Sequence, residues 1–440
     1  MYLATTGRPD APPPRTGARR RVGGTVLALG TVSLVTDISS EMVTAVLPVY
    51  LVLGLGLSPL QFGFLDGLLN GATALVRLLG GHAADRGGRH KRVAGIGYAL
   101  SACSRLGLLL AVGATGWIAA ALAGDRLGKG IRTAPRDALI TLSCPPEDLG
   151  RAFGVHRAMD TTGALLGPLA AFALLWATAD AYDAVFVVSF CFGVLGVLLL
   201  AVLVPGRAAA DAGTSAGGGA SAGGGAARDP RPKAAPLLAP LLSPLRSAPV
   251  RRILGATALL GAFTVGDAFV YLLLQRRLDL AVTWFPFLPL GAAAGYLLLA
   301  VPAGRLADRI GRRRPFLYGH GALLLAYVLL LAPAPDLLVL GLVLGLLGVF
   351  YAATDGVLMA LTGPLLPAGR RASGLALVQT VQALARLLAA TGFGAAWTVW
   401  GPSTALALAA AGLSAALAGA GFLLPAAPPA EGHPSSERPS

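Results

Sequence analysis

Apolar runs of roughly 18 to 25 residues recur along this chain, divided by short breaks rich in charge, glycine or proline. Each run is long enough to cross about 30 Å of hydrocarbon as a helix rising 1.5 Å per residue. A lone segment in lipid must satisfy its own backbone hydrogen bonds, so the runs read as helices and not as strands. Twelve such spans start near Thr25, Pro59, Val93, Trp117, Ala152, Ala184, Ile253, Val282, Phe316, Leu337, Ala372 and Thr404. The basic cluster Arg19–Arg21 before the first run imitates a signal peptide, but Asp37 and Glu41 interrupt the run and no cleavage site follows. It reads as an uncleaved first span.

The longest interruption is polar and small. From Arg207 to Arg246 the chain becomes "AAADAGTSAGGGASAGGGAARDPRPKAAP" and its flanks, a composition that behaves as a flexible coil. It separates six spans from six, and the two sets echo each other. Asp85 corresponds to Asp308, Asp137 to Asp355, Gly154 to Gly374 and Asp37 to Asp267, at offsets of 218 to 230 residues. The expected fold is therefore an all-α integral membrane protein, twelve transmembrane helices in two pseudo-symmetric six-helix bundles. The divisions are a tail over 1–22, a bundle over 23–206, a linker over 207–249, a second bundle over 250–425 and a tail over 426–440. Parallel repeats of this kind form transporter folds whose site lies at the interface of the halves.

Composition agrees with this reading. The chain has 440 residues, 55% of them hydrophobic, and a mean hydropathy of +0.70, more apolar surface than a water-soluble core can hide. The net charge of +14 points first to a polyanion, but the bases follow topology. With the N-terminus inside, most Lys and Arg fall in inner segments and only Arg276 and Arg277 in outer ones, which is the positive-inside pattern. Both termini are then cytoplasmic, the location is the cell membrane, and no nucleic-acid partner is needed. Three cysteines, two of them (Cys103 and Cys191) inside spans, make no disulfide framework.

Two charged loops stand out. "GHAADRGGRHKR" (Gly81 to Arg92) and "GRLADRIGRRRP" (Gly304 to Pro315) place glycines for close helix approach and a tight turn beside bases that hold the loop at the inner surface. Gly81, Asp85, Arg86, Gly88, Arg89 and Lys91 resemble the G-x-L-A-D-R-x-G-R-K signature of the major facilitator superfamily, with Ala83 at the usual Leu position. Gly304, Leu306, Ala307, Asp308, Arg309, Gly311, Arg312 and Arg313 resemble its second copy. The resemblance implies that Asp85 faces the N-terminus of span eleven near Ser373 and Gly374. It also implies that Arg89 pairs with Asp137 and Arg312 with Asp355, forming a cytoplasmic gate. The alternative is a solvated basic turn that only sets topology.

Charges inside the spans carry the candidate chemistry. In span four, Asp125, Arg126 and Lys129 facing lipid would together cost about 9 kcal/mol, so they face protein or water. Arg126, Lys129, Arg132 and Arg136 form one drifting helical stripe, and Arg132 and Arg136 are expected to snorkel to the inner surface. In span one, Asp37 and Glu41 share a helical face near mid-depth. Two carboxylates in one dry site do not both ionise cheaply, so one can carry a proton. Arg126 and Gly130 resemble the R-x-x-x-G element of proton-coupled members of the superfamily, which makes Arg126 the expected partner of the Asp37/Glu41 pair. That set is either a coupling device or a permanent structural ion pair. Asp267 and Tyr271, a turn apart in span seven, are expected to line the cavity opposite Asp37.

Span five carries "GVHRAMDTTGALLGP". Gly154, Gly163, Gly167 and Pro168 resemble the fifth-span motif of the antiporter branches, although Ala171 and Phe172 replace its two closing small residues. On the same helix His156 is either a titrating group or a hydrogen-bonded structural one, and Arg157 and Asp160 are i, i+3 partners. Arg77, Arg105 and Arg386 read as inter-helix locks. No Walker loop, HExxH, G-x-S-x-G or Cys/His metal cluster is present, so neither an enzyme nor a cofactor is expected. The resemblance implies a monomeric secondary transporter in the bilayer that exports a small amphipathic molecule against protons. Uptake of a small organic or inorganic anion is the alternative, motivated by the basic stripe. A non-transporting sensor or a polytopic membrane enzyme is the alternative of another class.

Overall fold

The computed structural model describes residues 23–69, 90–111, 114–144, 149–205, 247–354, 357–362, 365–366 and 371–424. The described residues are almost entirely helical, with no strand among them. In chain order the helices are α1 (Gly24–Val49), α2 (described over 59–69), α3 (His90–Leu110), α4 (Thr115–Leu142), α5 (Leu149–Ala177), α6 (Tyr182–Leu203) and α7 (Ala248–Gly261). They continue as α8 (Asp267–Leu278), α9 (Phe287–Ile310), α10 (Arg313–Leu331), α11 (Asp336–Thr354), α12 (Val357–Thr362), α13 (Arg371–Trp400) and α14 (Pro402–Leu423). The two tails and nearly all of the glycine-rich linker lie outside the described residues.

Eight described helices are long and apolar enough to cross a membrane. Among the other expected spans, α4 is long enough but carries Asp125, Arg126, Lys129, Arg132, Arg136 and Asp137. The expected seventh span is two helices, α7 and α8, separated at residues 262–266. Irregular backbone at membrane depth is tolerated only where protein satisfies it, and Tyr327 of α10 does so. Its hydroxyl accepts from Val265 N at 2.8 Å and donates to Phe263 O at 3.5 Å. Gly266 then caps α8, whose first residue is Asp267.

The helices pack in two sets. α1 lies against α5 and α6, α3 against α4 and α6, while α9 packs on α11, α10 on α11 and α14, and α7 on α13 and α14. Small residues set these crossings. A Cβ at Gly97 of α3 would stand 2.7 Å from Gly128 O of α4, and one at Gly348 of α11 would meet Gly295 of α9 at 2.6 Å, so both pairs touch backbone to backbone. The α9–α10 turn runs through Gly311 at φ 83°, a left-handed conformation that favours glycine.

Two basic residues of the charged loops do matching work. Lys91 Nζ donates to Ala201 O at 2.9 Å and Val204 O at 2.5 Å at the end of α6. Arg313 donates to Gly421 O near the end of α14. Each satisfies carbonyls that a helix C-terminus leaves open, where a cation is favoured. The two bases expected on the outer side are also engaged. Arg277 donates to Leu330 O and Ala334 O beyond α10 and pairs with Asp336 at 3.0 Å, and Arg276 lies 5.3 Å from the ring centre of Trp397.

The sets meet at the end where α1 turns into α2. Leu60 N donates to Thr398 Oγ1 at 3.2 Å, and Thr283 Oγ1 donates to Asp180 at 2.6 Å. Phe172 of α5 stacks on Trp284 and Phe287 at 5.3 and 4.7 Å. Deeper in, Phe62 of α2 meets Phe269 of α8, which meets Phe393 of α13.

Candidate functional site

Between the two helix sets lies a cavity of about 480 Å³. Glu41 of α1, Asp66 of α2 and Arg126 of α4 face it from one side, and Asp267 of α8 and Arg386 of α13 from the other. Tyr271, Tyr296, Tyr351, Phe285 and Phe350 give it aromatic walls. The α7–α8 break is part of the lining, from Thr264 to Ala268. Asp267 thus sits at a helix N-terminus, where an anion is favoured, and its carboxylate accepts a hydrogen bond from the Tyr351 hydroxyl.

Behind this wall α1, α3, α4 and α5 build a ladder of paired charges. Arg105 of α3 meets Asp125 of α4 at 3.1 Å, donates to Ser40 Oγ at 2.8 Å and caps Ser101 O. One turn along, Lys129 Nζ lies 3.3 Å from Glu41. Arg132 Nη2 lies 3.4 Å from Asp37, with its guanidinium 4.6 Å from the Tyr98 ring centre. Arg136 reaches Asp137 at 3.1 Å and Asp160 at 3.4 Å. It also donates to Ser33 Oγ, which is 2.9 Å from His156 Nε2.

Several expectations are therefore relocated. Arg126 forms no ion pair with Asp37 or Glu41; Lys129 and Arg132 hold those acids, and Arg126 faces the cavity. Asp37 does not line the cavity with Glu41 but lies behind it. Arg132 and Arg136 do not snorkel: their side chains are 4% and 14% exposed, because acids on α1 and α5 neutralise them in place and remove the reason to reach the surface. Asp137 is held by Arg136. Arg157 is exposed and 4.0 Å from Asp160, which Arg136 approaches more closely. His156 is buried on Ser33.

The α5 glycines have a direct role in this geometry. A Cβ at Gly163 would stand 2.5 Å from Leu34 O and 3.1 Å from Asp37 Cβ, and one at Gly167 would stand 2.7 Å from Glu41 Cβ. They let α5 lie on the turn of α1 that carries both acids. Pro168 is inside the same helix, while Gly154 has open space around it.

Of the expected gate, Gly81, Asp85, Arg86, Arg89 and Asp355 lie outside the described residues, as does Arg77, and the side chains of Asp308 and Ser373 are not described. Gly304 and Arg309 fall in the last turns of α9, and Arg312 is the residue that precedes α10 at its N-cap. Sequence reasoning passed over Asp66, Tyr351 and the cavity position of Arg386. An acid at Asp66, eight residues into an apolar span, was the available signal.

Comparison with known proteins follows the same lines. The family profile described as Major Facilitator Superfamily matches residues 29–295 and 287–440. An uncharacterised MFS-type transporter of Methanocaldococcus jannaschii is 38% identical over 150 residues, 34% of this chain and 36% of that protein. The alignment thus spans about a third of that relative. Among solved structures, the nucleoside transporter NupG superposes with a TM-score of 0.74 at 14% identity, over 91% of this chain and 99% of that one. The peptide transporter POT in complex with sulfate gives 0.69 at 16%, over 91% and 94%. At these identities the superpositions speak for the fold.

Proposed function

The chain belongs to the Major Facilitator Superfamily, and on that premise we propose that it is a proton-coupled secondary transporter that exports a small amphipathic organic compound by alternating access. In this reading residues 23–206 and 250–425 are the two rocking six-helix bundles, both termini are cytoplasmic, and the protein works as a monomer in the cell membrane. The end closed by Thr283–Asp180 and Leu60–Thr398 is then the outer one, so this state faces inward.

The observation that carries the reading is a cavity between the helix sets with compensated charges on and behind its wall. Protonating Glu41 removes its attraction to Lys129 at 3.3 Å, and protonating Asp37 does the same for Arg132 at 3.4 Å. Each event frees a cation behind the cavity wall and so biases the equilibrium between the two arrangements of the bundles. The mixture of aromatic walls and both signs of charge suits an amphipathic cargo.

The anion-uptake alternative loses its motive. Lys129, Arg132 and Arg136 of the basic stripe are each paired with an acid, which leaves Arg126 as the stripe's cation at the cavity.

Proteoliposomes loaded with a cationic or neutral dye and given a proton gradient opposing dye flow test the proposal. Gradient-dependent dye movement is expected in the wild type and its loss in D37N and E41Q. Full gradient-dependent flux in both variants overturns the coupling assignment, and flux that requires an anion restores the alternative.

A further inference from the structure

A second chamber, of about 40 Å³, adjoins the main cavity and shares Thr264, Phe350, Tyr351 and Arg386 with it. Its other walls include Thr257, His320 and Gln382. This small space is polar and under-used. Thr257 is 4% exposed, and its Oγ1 finds no hydrogen-bond partner among the described residues. A buried hydroxyl in that condition marks a site where something polar belongs. His320 Nδ1 lies 2.8 Å from Phe316 O; a carbonyl only accepts, so Nδ1 carries the hydrogen and Nε2 is the ring's acceptor.

At the boundary of the two spaces stand opposite charges that do not meet. Arg386 and Asp267 both line the main cavity. Among the described residues no carboxylate lies within the 4.0 Å of an ion pair from Arg386. One oxygen of Asp267 accepts from Tyr351, which leaves the other able to take a cation. A guanidinium and a carboxylate facing one void with a gap between them are complementary to a head that carries a carboxylate and an ammonium side by side.

We propose that this junction is the headgroup subsite for a zwitterionic, amino-acid-type cargo. The cargo carboxylate sits on Arg386 at the mouth of the small chamber, where the Thr257 hydroxyl and the Gln382 amide donate to it. The ammonium sits on Asp267, and the apolar body lies in the main cavity against Tyr271 and Phe285. The proposal rests on the transporter reading and narrows its substrate class.

The test uses the purified full chain and four probes: L-phenylalanine, its methyl ester, N-acetyl-L-phenylalanine and phenethylamine. Isothermal titration should give at least tenfold tighter binding of L-phenylalanine than of any analogue. In R386Q the advantage over the methyl ester and phenethylamine should vanish, and in D267N the advantage over the N-acetyl compound. T257V should weaken L-phenylalanine severalfold and leave the methyl ester unchanged, an outcome that general misfolding does not produce. Equal binding of the four probes, or binding of none, overturns the subsite. Wild-type vesicles that move dye yet discriminate none of the probes sink this inference alone; vesicles that move nothing sink the transporter reading with it.

Discussion

Arg132 sits where a single charge has the least freedom: its side chain is 4% exposed, Asp37 is 3.4 Å away and the Tyr98 ring lies under its guanidinium. Breaking a buried pair by removing one partner costs about 3–5 kcal/mol, since the other charge is left uncompensated, whereas removing both is much milder. D37N should therefore lower the unfolding temperature of the detergent-purified protein, and D37N/R132Q should recover most of that loss. A double variant no better than the single one would mean that Arg132 is held by something other than Asp37. The sequence offered both ladders, Asp37 and Glu41 on one helix and Arg126 to Arg136 on the other, with the periodicity of one face each. It did not offer their relative register. Arg126 was the expected partner, yet the pairing begins one turn later, at Lys129, where α4 is placed by its Gly128 lying on Gly97 of α3. That is a property of the packed helices and not of either helix alone.

Among elements, α5 gives the sharpest contrast between positions that look alike in sequence. A Cβ at Gly163 or Gly167 would stand 2.5 or 2.9 Å from Leu34 O or Met42 N of the α1 backbone, while one at Gly154 would meet nothing within 4 Å. Backbone atoms cannot step aside, so G163A and G167A should each cost about 1–3 kcal/mol as an overpacked crossing and impair flux by moving Asp37 and Glu41 off their partners. G154A should be neutral or stabilising, by up to about 1 kcal/mol, from the helix propensity of alanine. Thermal unfolding and dye flux on the three variants check this, and a G154A as damaging as G163A would remove the packing argument. Element existence was legible from hydrophobic run length alone. The break between α7 and α8 was not, because the group that satisfies its backbone at Val265 and Phe263 is Tyr327, more than sixty positions away. The charged loops were legible as topology signals, but their capping of α6 by Lys91 and of α14 by Arg313 needs the last helix of each set in place.

For the whole molecule, the relation between the helix sets decides whether the cavity is a site or a passage. At one end they are joined by polar and aromatic contacts, Thr283 to Asp180, Leu60 to Thr398, and Phe172 against Trp284 and Phe287, and α2 packs closely on α13, where a Cβ at Gly63 would stand 2.2 Å from Ala390 O. Contacts of this kind can part without unfolding either set, as alternating access requires. The 2.6 Å Thr283–Asp180 bond crosses from one set to the other between side chains that are exposed or nearly so, a geometry suited to a reversible lock. Cys103, Cys144 and Cys191 are in no disulfide among the described residues and would first be replaced by serine or alanine. In that background an Asp180→Cys/Thr283→Cys pair should form a disulfide under mild oxidation, stop dye flux, and regain it on reduction, while each single variant transports throughout. Ligand binding from the other end should survive the lock, because the cavity lining is untouched. Undiminished flux through a fully cross-linked population would show that this end never opens, and that the two helix sets do not rock about the cavity between them.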